Sequence, residues 1–354
     1  MGTHRLVYIR TDGNSKIATG HLVRCVSIAG DCKKLGMEVC FLVSDEESRT
    51  LLTGFLSQAF LSAELPSVRV LKTAFYDDLE KELPEVLSLL TGHNSCIYFL
   101  DSYYVTEGYL AALKPFVKIA YIDDLQLFDY TADLVINYDV IPDDLLPEYQ
   151  KAYQKAAQTL LGASYAPLRN QFQNRKITVR KRVSDVLITT GGSDPYHFCL
   201  RFLEAIQKDP KFTLHIVIGK LNADKELLSS LTEKLPFVKL HENVTDMAAL
   251  MACCDLAISA AGTTLYELCA LGIPTISFTM ADNQLTCAKT FAHAGIIPCA
   301  GDIRFSYESV LSHALEFMTS MSEDIKKRKS AHETMHRFID GNGAYRIAQA
   351  LNAL

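Results

Sequence analysis

The stretch ISAAGTTLYELCALGIPTISFTMADNQ, residues Ile258–Gln284, decides the fold. It starts as a short apolar run typical of a buried strand, turns through the small residues Ala260–Gly262, and continues as an amphipathic helix. A second apolar run, Pro274–Met280, follows the helix and leads to the polar tip Asp282–Gln284. The order strand, turn, helix, strand predicts a βαβ unit, whose two strands lie parallel in one sheet.

The turn in this stretch also predicts a nucleotide site. At a glycine turn before a helix, a diphosphate can approach the backbone N–H groups, here those of Gly262 and Thr263. Glu267 lies about one turn into the helix, where its carboxylate can accept hydrogen bonds from both ribose hydroxyls. The alternative for Glu267 is a solvated side chain on an amphipathic helix.

Similar segments precede this stretch in the second half of the chain. Apolar runs separated by helical patterns cover residues 185–192, 212–219, 237–243 and 255–260. The first run continues as LITTGGSDP, which places Gly191 and Gly192 at a strand end and predicts a helix that starts at Ser193 or Asp194. Exposed N–H groups there would form a second anion site, although a tight turn explains the two glycines equally well.

The first half repeats the alternation. Apolar runs lie at residues 6–9, 39–43, 96–101, 118–124 and 133–139, with amphipathic stretches between them. Several of these runs end in Asp, Asn or Tyr, so the predicted parallel sheet has a polar carboxyl edge. Open α/β sheets bind their ligands at that edge.

The chain is long enough for two domains, and the pattern loosens between residues 139 and 182. We therefore predict an α/β protein of the GT-B type, with two Rossmann-like domains, parallel sheets and an interdomain cleft. The N-terminal domain, residues 1–165, would carry the catalytic base. The C-terminal domain, residues 166–354, would bind the nucleotide, and its last helix is free to pack back across the junction.

The loop RTDGNSKIATGH after the first strand carries a candidate base. A helix is predicted to begin directly after Gly20, which puts His21 in its first turn. The partial positive charge of a helix N-terminus opposes protonation of an imidazole, and a neutral imidazole can accept a proton from water. On position alone, a histidine that merely follows a helix-starting glycine is the commoner case.

Two charged residues flank His21. Arg24 lies on the same helix face and either contacts an anionic group or serves as a structural, partly solvated arginine. Asp12 either orients His21 or a sugar hydroxyl, or it caps the loop. The loop contains neither a GxGxxG nor a Walker A pattern, so a nicotinamide or ATP cradle is not expected.

Composition limits the partners. The formal net charge of −6 repels nucleic acid and anionic membranes, and no apolar run is long enough to span a membrane. The ten cysteines form no CxxC pair, so we expect reduced, buried thiols. We also expect no metal and no cofactor, with activity in the presence of EDTA. Because residues 1–10 lack the apolar core of a secretory leader, we expect a cytoplasmic protein.

Several motifs together resemble one family. GNSKIATGHLVRC, YIDDLQ, SYAPLRNQF, TTGGSDP and AGTTLYELCALGIPTISFTMADNQ resemble the UDP-sugar hydrolases of pseudaminic acid biosynthesis, which act on UDP-2,4-diacetamido-2,4,6-trideoxy-beta-L-altropyranose. The resemblance extends from about Leu6 to at least Gly295. It implies a GT-B fold akin to the N-acetylglucosaminyltransferase that completes lipid II, with UDP on the C-terminal domain. It also implies cleavage between sugar C1 and the phosphate oxygen, with inversion at C1.

The resemblance also assigns roles to residues. It makes His21 the catalytic base, places Tyr103 beside the sugar, and makes Asn283 a second active-site residue. Glu267 matches the acidic residue that holds the uridine ribose in the related transferase. The expected substrate- or UDP-binding set is completed by Asp12, Gly20, Arg24, Gly191, Gly192, Gly262, Thr263 and Gln284.

Two other functions remain open on the sequence alone. A UDP-sugar-dependent glycosyltransferase on the same scaffold would keep Glu267 and the second-half loops, and would deliver the sugar to an acceptor hydroxyl instead of water. A catalytically silent UDP-sugar-binding protein would need no base. The absence of an apolar membrane-docking stretch favours the hydrolase over the transferase.

Overall fold

The computed structural model describes residues 5–60, 64–91, 96–175, 177–206, 211–219 and 221–354. The expectation about a secretory leader concerns in part residues 1–4, which lie outside the described residues. The chain divides into a first unit, residues 1–170 with 341–354, and a second unit, residues 171–340. Among the described residues, no helix has the length and apolar character needed to cross a membrane.

The first unit contains a parallel sheet. Its seven described strands are β1 (Leu6–Thr11), β2 (Glu38–Val43), β3 (Ser67–Val70), β4 (Cys96–Asp101), β5 (Lys118–Ile122), β6 (Leu134–Asn137) and β7 (Gln158–Leu161). They pair in the order β3-β2-β1-β4-β5-β6-β7, and every pairing is parallel. The central strand β4 is buried along its whole length, as its uninterrupted apolar run predicts.

Helices cover both faces of this sheet. They are α1 (Gly20–Lys34), α2 (Glu46–Ala59), α3 (Leu83–Leu90), α4 (Glu107–Leu113) and α5 (Leu146–Ala152). Helix α1 buries Leu22, Cys25 and Ile28 in one apolar core, whereas α4 buries Leu110 in a second one. Apolar cores on both faces are expected of a parallel sheet of this kind.

The second unit contains a parallel sheet of six described strands. They are β8 (Asp185–Thr189), β9 (Thr213–Ile218), β10 (Val238–Glu242), β11 (Leu256–Ala260), β12 (Thr275–Thr279) and β13 (Cys299–Asp302), in the order β10-β9-β8-β11-β12-β13. The helices of this unit are α6 (Phe198–Ala205), α7 (Lys225–Thr232), α8 (Met247–Ala252), α9 (Thr263–Leu271), α10 (Leu285–His293), α11 (Tyr307–Glu323) and α12 (Ile325–Phe338). Two Rossmann-like units with parallel sheets agree with the fold expected from the sequence.

The last helix, α13 (Gly343–Ala353), groups with the first unit. Its residues Ile347 and Leu351 are fully buried in the same core as α1, which is why the helix returns there. Gly343 lies against the segment near Ala166, where a Cβ atom would come within 2.2 Å of the Ala166 carbonyl oxygen. The first unit ends at residue 170, five residues beyond the boundary expected from the sequence, and the last helix groups with it, as the sequence analysis allowed.

Several sequence expectations need correction. The edge strands β3, β7 and β13 do not stand out in the sequence, because few of their residues are buried and the hydrophobic pattern is weak. The ten cysteines all lie in the described residues, and no disulfide joins any two of them. They are not all buried, however, since Cys253 and Cys299 are exposed.

Candidate functional site

His21 lies at the point where the strand order of the first sheet reverses. From β1 the chain continues outward to β2 and β3, then crosses back so that β4 pairs with the other side of β1. The loop after β1 and the end of β4 therefore meet at one carboxyl edge, and Thr11 lies opposite Asp101 in the register. Such switch points form the ligand crevices of open α/β sheets.

His21 and Asp101 form a buried hydrogen-bonded pair. The Nδ1 atom of His21 lies 2.6 Å from Oδ1 of Asp101, whose side chain is fully buried. Arg24 Nη2 also faces Nδ1, at 3.1 Å, but it lies 2.5 Å from Asp101 Oδ1 and donates there. Because a carboxylate only accepts, the His21 proton is on Nδ1 and the lone pair of the neutral ring is on Nε2. Nε2 is then the atom that can take a proton.

Arg24 keeps Asp101 ionised. Its Nε atom donates to Asp101 Oδ2 at 2.6 Å, and its Nη2 atom also pairs with Asp124 at 2.8 Å. Burial alone would raise the pKa of Asp101, but the charge of Arg24 and the hydrogen bonds from Arg24 and His21 hold that pKa well below its usual range. Arg24 thus acts on the base through Asp101, and most of its guanidinium is engaged within the protein.

A small cavity opens at His21. It is lined by Asp12, Ile17, His21, Asp101, Ser102, Tyr103 and Tyr104. Its volume is about 10 Å³, and a single water molecule needs roughly 10–15 Å³ of such space. The His21 side chain is 5% exposed, so the cavity is its main contact with the outside.

Tyr103 packs against the base. Its ring meets that of His21 edge to face, with centroids 4.4 Å apart, and 43% of the residue is exposed. Burial and the neighbouring Asp124 raise the pKa of Tyr103, so its hydroxyl remains a hydrogen-bond donor at neutral pH. The structure thus brings together His21, Arg24 and Tyr103 from the sequence-predicted set.

Asp12 has a structural role. Its Oδ1 atom accepts from the backbone N–H of Ser44 at 2.7 Å and from the Ser44 hydroxyl at 2.9 Å, while Oδ2 pairs with Arg10. It lines the cavity, but Asp101 rather than Asp12 orients His21. The loop-capping alternative is therefore the one that the contacts support. Gly20 is the first residue of α1, and a Cβ atom there would meet no neighbour.

Sequence reasoning did not assign Asp101, Asp124 or Tyr138 to the site. Tyr138 follows β6 and accepts a hydrogen bond from Arg24, so polar residues at the end of β4 and after β5 and β6 all contact this arginine. The signal was present, because each of these apolar runs ends in a polar residue. What the sequence lacked was the strand order that brings β4 beside β1.

The second sheet has its own switch point, between β8 and β11. The loop with Gly191 and Gly192 follows β8, and the turn with Gly262 and Thr263 follows β11. Because β8 and β11 are parallel neighbours, both glycine loops lie at one carboxyl edge. The topology therefore brings the two loops that the sequence analysis singled out as anion sites to the same edge of the sheet.

The helix after the first glycine loop starts later than expected. It begins at Phe198 and not at Ser193 or Asp194. The Asp194 carboxylate accepts from the N–H groups of Phe198 at 2.8 Å and Cys199 at 2.9 Å, so the start of α6 is already capped. An anion at this loop would meet the backbone of Gly191 and Gly192 instead of a helix N-terminus.

Gly219, which directly follows β9, lies against the backbone of the first glycine loop, the loop with Gly191 and Gly192. A Cβ atom at this position would lie 2.3 Å from the carbonyl oxygens of both Gly191 and Gly192. The Gly192 carbonyl also accepts from the Leu221 N–H at 3.0 Å. Only glycine allows this close approach, so Gly219 fixes the position of the loop.

The second glycine turn leads directly into α9. Gly262 has φ +157° and no side chain of the described residues caps the helix start. A Cβ at Gly262 would meet nothing within 4 Å, which leaves open space at the first turn. Thr263 is exposed and Glu267 is half-buried on the same helix. An uncapped helix N-terminus with open space is suited to an anion.

The polar tip follows β12, the next strand at this edge. Asn283 is exposed and makes no hydrogen bond to the described residues, so its amide can face a ligand. Gln284 instead accepts from the Met280 N–H at 2.8 Å, which closes the turn. Asp282 is tied to Arg304 at 2.7 Å. Among the described residues, no group of His, Cys, Asp and Glu side chains is arranged to hold a metal ion.

The fold and the loops define a class of protein. Residues 186–349 match the model of the glycosyltransferase family 28 C-terminal domain. The crystal structure of MurG from Acinetobacter baumannii superposes with a TM-score of 0.67 at 14% identity, covering 99% of this chain and 100% of that one. The chain therefore has the GT-B fold, and its second unit is related to the glycosyltransferase family 28 C-terminal domain.

Two curated proteins are similar in sequence. The spore coat polysaccharide biosynthesis protein SpsG of Bacillus subtilis is 31% identical over 199 residues, 54% of this chain and 58% of SpsG. The pseudaminic acid cytidylyltransferase and UDP-2,4-diacetamido-2,4,6-trideoxy-beta-L-altropyranose hydrolase of Helicobacter pylori is 33% identical over 147 residues, 40% of this chain and 26% of that protein. The chain thus matches little more than half of one relative and about a quarter of the other.

Proposed function

We propose that this protein hydrolyses a UDP-linked diacetamido-trideoxy sugar in nonulosonic (pseudaminic) acid biosynthesis. Water attacks C1 with inversion, and UDP and the free sugar are released. The observation that carries the proposal is the His21–Asp101 pair, which engages Nδ1 and leaves the Nε2 lone pair of a buried imidazole that lines a cavity about the size of one water molecule. The named activity of the Helicobacter pylori relative supports the choice of substrate.

The chemical step uses His21 as the base. The water oxygen forms a bond to C1 while the bond from C1 to the diphosphate oxygen breaks, and the bonding electrons leave with UDP. His21 Nε2 takes the water proton, and Asp101 stabilises the imidazolium that forms. Tyr103 contacts the sugar beside the base.

The second unit binds the nucleotide in this proposal. Backbone N–H groups of Gly191, Gly192, Gly262 and Thr263 stabilise the charge on the departing diphosphate. The Glu267 carboxylate accepts hydrogen bonds from the ribose hydroxyls, and Asn283 contacts the substrate. Gln284 contributes by holding the turn that carries Asn283.

A second candidate is a UDP-sugar-dependent glycosyltransferase, which the match to the glycosyltransferase family 28 C-terminal domain favours. Proton NMR of the purified protein mixed with the UDP-diacetamido-trideoxy sugar in water distinguishes the two. The proposal predicts free sugar, UDP and an inverted first-formed anomer without any acceptor. Absence of free sugar in water, with UDP and a glycosylated acceptor formed only when an acceptor alcohol is added, would establish the transferase instead.

A further inference from the structure

The residues that line the cavity at His21 are of two chemical kinds. Asp12, His21, Asp101 and Ser102 are polar and include the base. Ile17, Tyr103 and Tyr104 have one aliphatic and two aromatic side chains, and we call them the apolar lining. The polar residues account for the water and its proton. The apolar lining has no part in proton transfer, so it needs a different explanation.

The apolar lining continues beyond the cavity. Tyr104 is 38% exposed and meets Tyr76 edge to face, with ring centroids 5.8 Å apart. The Lys16 ammonium lies 5.5 Å from the centroid of the Tyr76 ring. We call Ile17, Tyr76 and Tyr104 the apolar wall. These residues come from the loops after β1, β3 and β4; β1 and β4 are neighbours in the sheet, and β2 separates β1 from β3.

The loop that carries Ile17 is held in a fixed shape. The Asn14 side chain accepts from the N–H groups of Lys16 at 3.0 Å and Ile17 at 3.2 Å, and Asn14 also bridges to Ala18. Ile17 takes part in this turn through its backbone N–H and not through its side chain. Its side chain is therefore available for a ligand, and it can be replaced without removing the contacts that shape the loop.

The size of the cavity decides where a sugar can contact this wall. A volume of about 10 Å³ accommodates water but not a pyranose ring. A sugar whose C1 faces that water must therefore lie at the mouth, where the exposed parts of Tyr103 and Tyr104 are. The substituents of the sugar ring then contact the apolar wall.

We propose that the apolar wall selects nucleotide sugars that carry methyl groups, as a deoxy carbon or an acetamido group, over sugars with free hydroxyls at the same positions. This inference rests on the proposed function, because it names the feature of the substrate that the same site recognises. An aromatic and aliphatic surface gains contact with a methyl group, whereas a hydroxyl covered by it loses its hydrogen bonds to water.

The test compares two substrates across matched variants. The kcat/KM values for the UDP-2,4-diacetamido-2,4,6-trideoxy sugar and for UDP-N-acetylglucosamine, which keeps hydroxyls at C4 and C6, give a selectivity ratio. Ile17→Thr replaces the ethyl group of the side chain with a hydroxyl, and Tyr104→Ser removes the aromatic ring. We expect each substitution to lower the selectivity ratio about 5- to 20-fold. Ile17→Val and Tyr104→Phe are the controls, and both should keep the ratio within about twofold.

Each outcome decides the inference. A ratio that is unchanged in Ile17→Thr and Tyr104→Ser would overturn the inference while leaving hydrolysis by the wild type intact. A ratio that falls in Tyr104→Phe would also overturn it, because the phenolic hydroxyl and not the ring would then select. If the wild type hydrolyses neither substrate, the proposed function fails, and calorimetric binding of the same two compounds becomes the readout. Equal affinities, or no binding of either, would then overturn the inference.

Discussion

The two carboxyl edges of this protein are built in opposite ways. At the edge of the first unit, charged side chains pair with one another: Asp101 accepts a hydrogen bond from His21, and Arg24 forms ion pairs with Asp101 and Asp124. At the edge of the second unit, the exposed features are backbone: two glycine loops and the uncapped start of α9. Paired side chains fix the tautomer of a base, whereas free backbone N–H groups donate hydrogen bonds to an anion and tolerate some variation in its position.

This difference predicts a division of effects. Substitutions in the first-unit edge should lower turnover with little change in UDP affinity, because the charged cluster acts on the reacting atoms. Substitutions in the second-unit edge should lower UDP affinity and spare the arrangement of the base. A substitution that lowers turnover and UDP affinity equally would contradict this division of roles between the two edges.

The largest effect is expected for Asp101→Asn. An amide in place of the carboxylate no longer requires Nδ1–H and no longer stabilises the imidazolium, so kcat should fall by about 10²- to 10⁴-fold. UDP affinity, measured by calorimetry, should stay within about threefold of the wild type. Thermal unfolding is the control for folding, because the substitution also leaves Arg24 without its main partner. A folded variant with wild-type kcat would contradict the role of Asp101.

A smaller effect, on UDP affinity and not on turnover, is expected for Gly219→Ala. The new Cβ atom would lie 2.3 Å from the carbonyl oxygens of Gly191 and Gly192, so the loop must move although the substituted residue never touches the ligand. We expect UDP affinity to fall about 10- to 100-fold, because a displaced loop misaligns its N–H groups. Gly54→Ala, where a Cβ meets nothing within 4 Å, is the control. Unchanged UDP affinity in Gly219→Ala would remove this loop from the nucleotide site.

The smallest effect is expected on the free energy of unfolding, which the buried carboxylate of Asp139 in the first unit lowers at neutral pH. Burial and the neighbouring Asp124 raise the pKa of Asp139 to about 6. Because the folded state then binds this proton more tightly than the unfolded state, the stability that Asp139 contributes is lost as pH rises from about 4 to about 6. Asp139→Asn should therefore be more stable than the wild type near pH 7, by about 1–3 kcal/mol.

Urea unfolding at several pH values checks this expectation. The stability difference between Asp139→Asn and the wild type should shrink as the pH is lowered towards about 4, where the native carboxyl is protonated too. A difference that is the same at both ends of this range would show that Asp139 does not carry a raised pKa.

The sequence predicted the elements at the centre of each sheet better than those at the edges. The runs that became β1, β4 and β11 are apolar along their length because both faces of these strands are buried. The start of α6 was placed too early, because the capping of Phe198 by Asp194 spans a loop that helix-start rules do not describe.

The site was predictable in part. His21 could be recognised from its place in the first turn of α1, which depends only on neighbouring residues. Its partner Asp101 could not, because 80 positions separate the two and only the adjacency of β1 and β4 joins them. For the same reason Asp12, close to His21 in sequence, was considered as its partner although its hydrogen bonds go to Ser44 and Arg10.

The most direct test of the central claim is a comparison of turnover and UDP binding in His21→Asn. The amide keeps hydrogen-bonding groups beside Asp101 but cannot take a proton from water. We predict a loss of kcat of at least about 10²-fold, with UDP affinity within about threefold of the wild type. Release of free sugar at the wild-type rate by the His21→Asn protein would contradict the account.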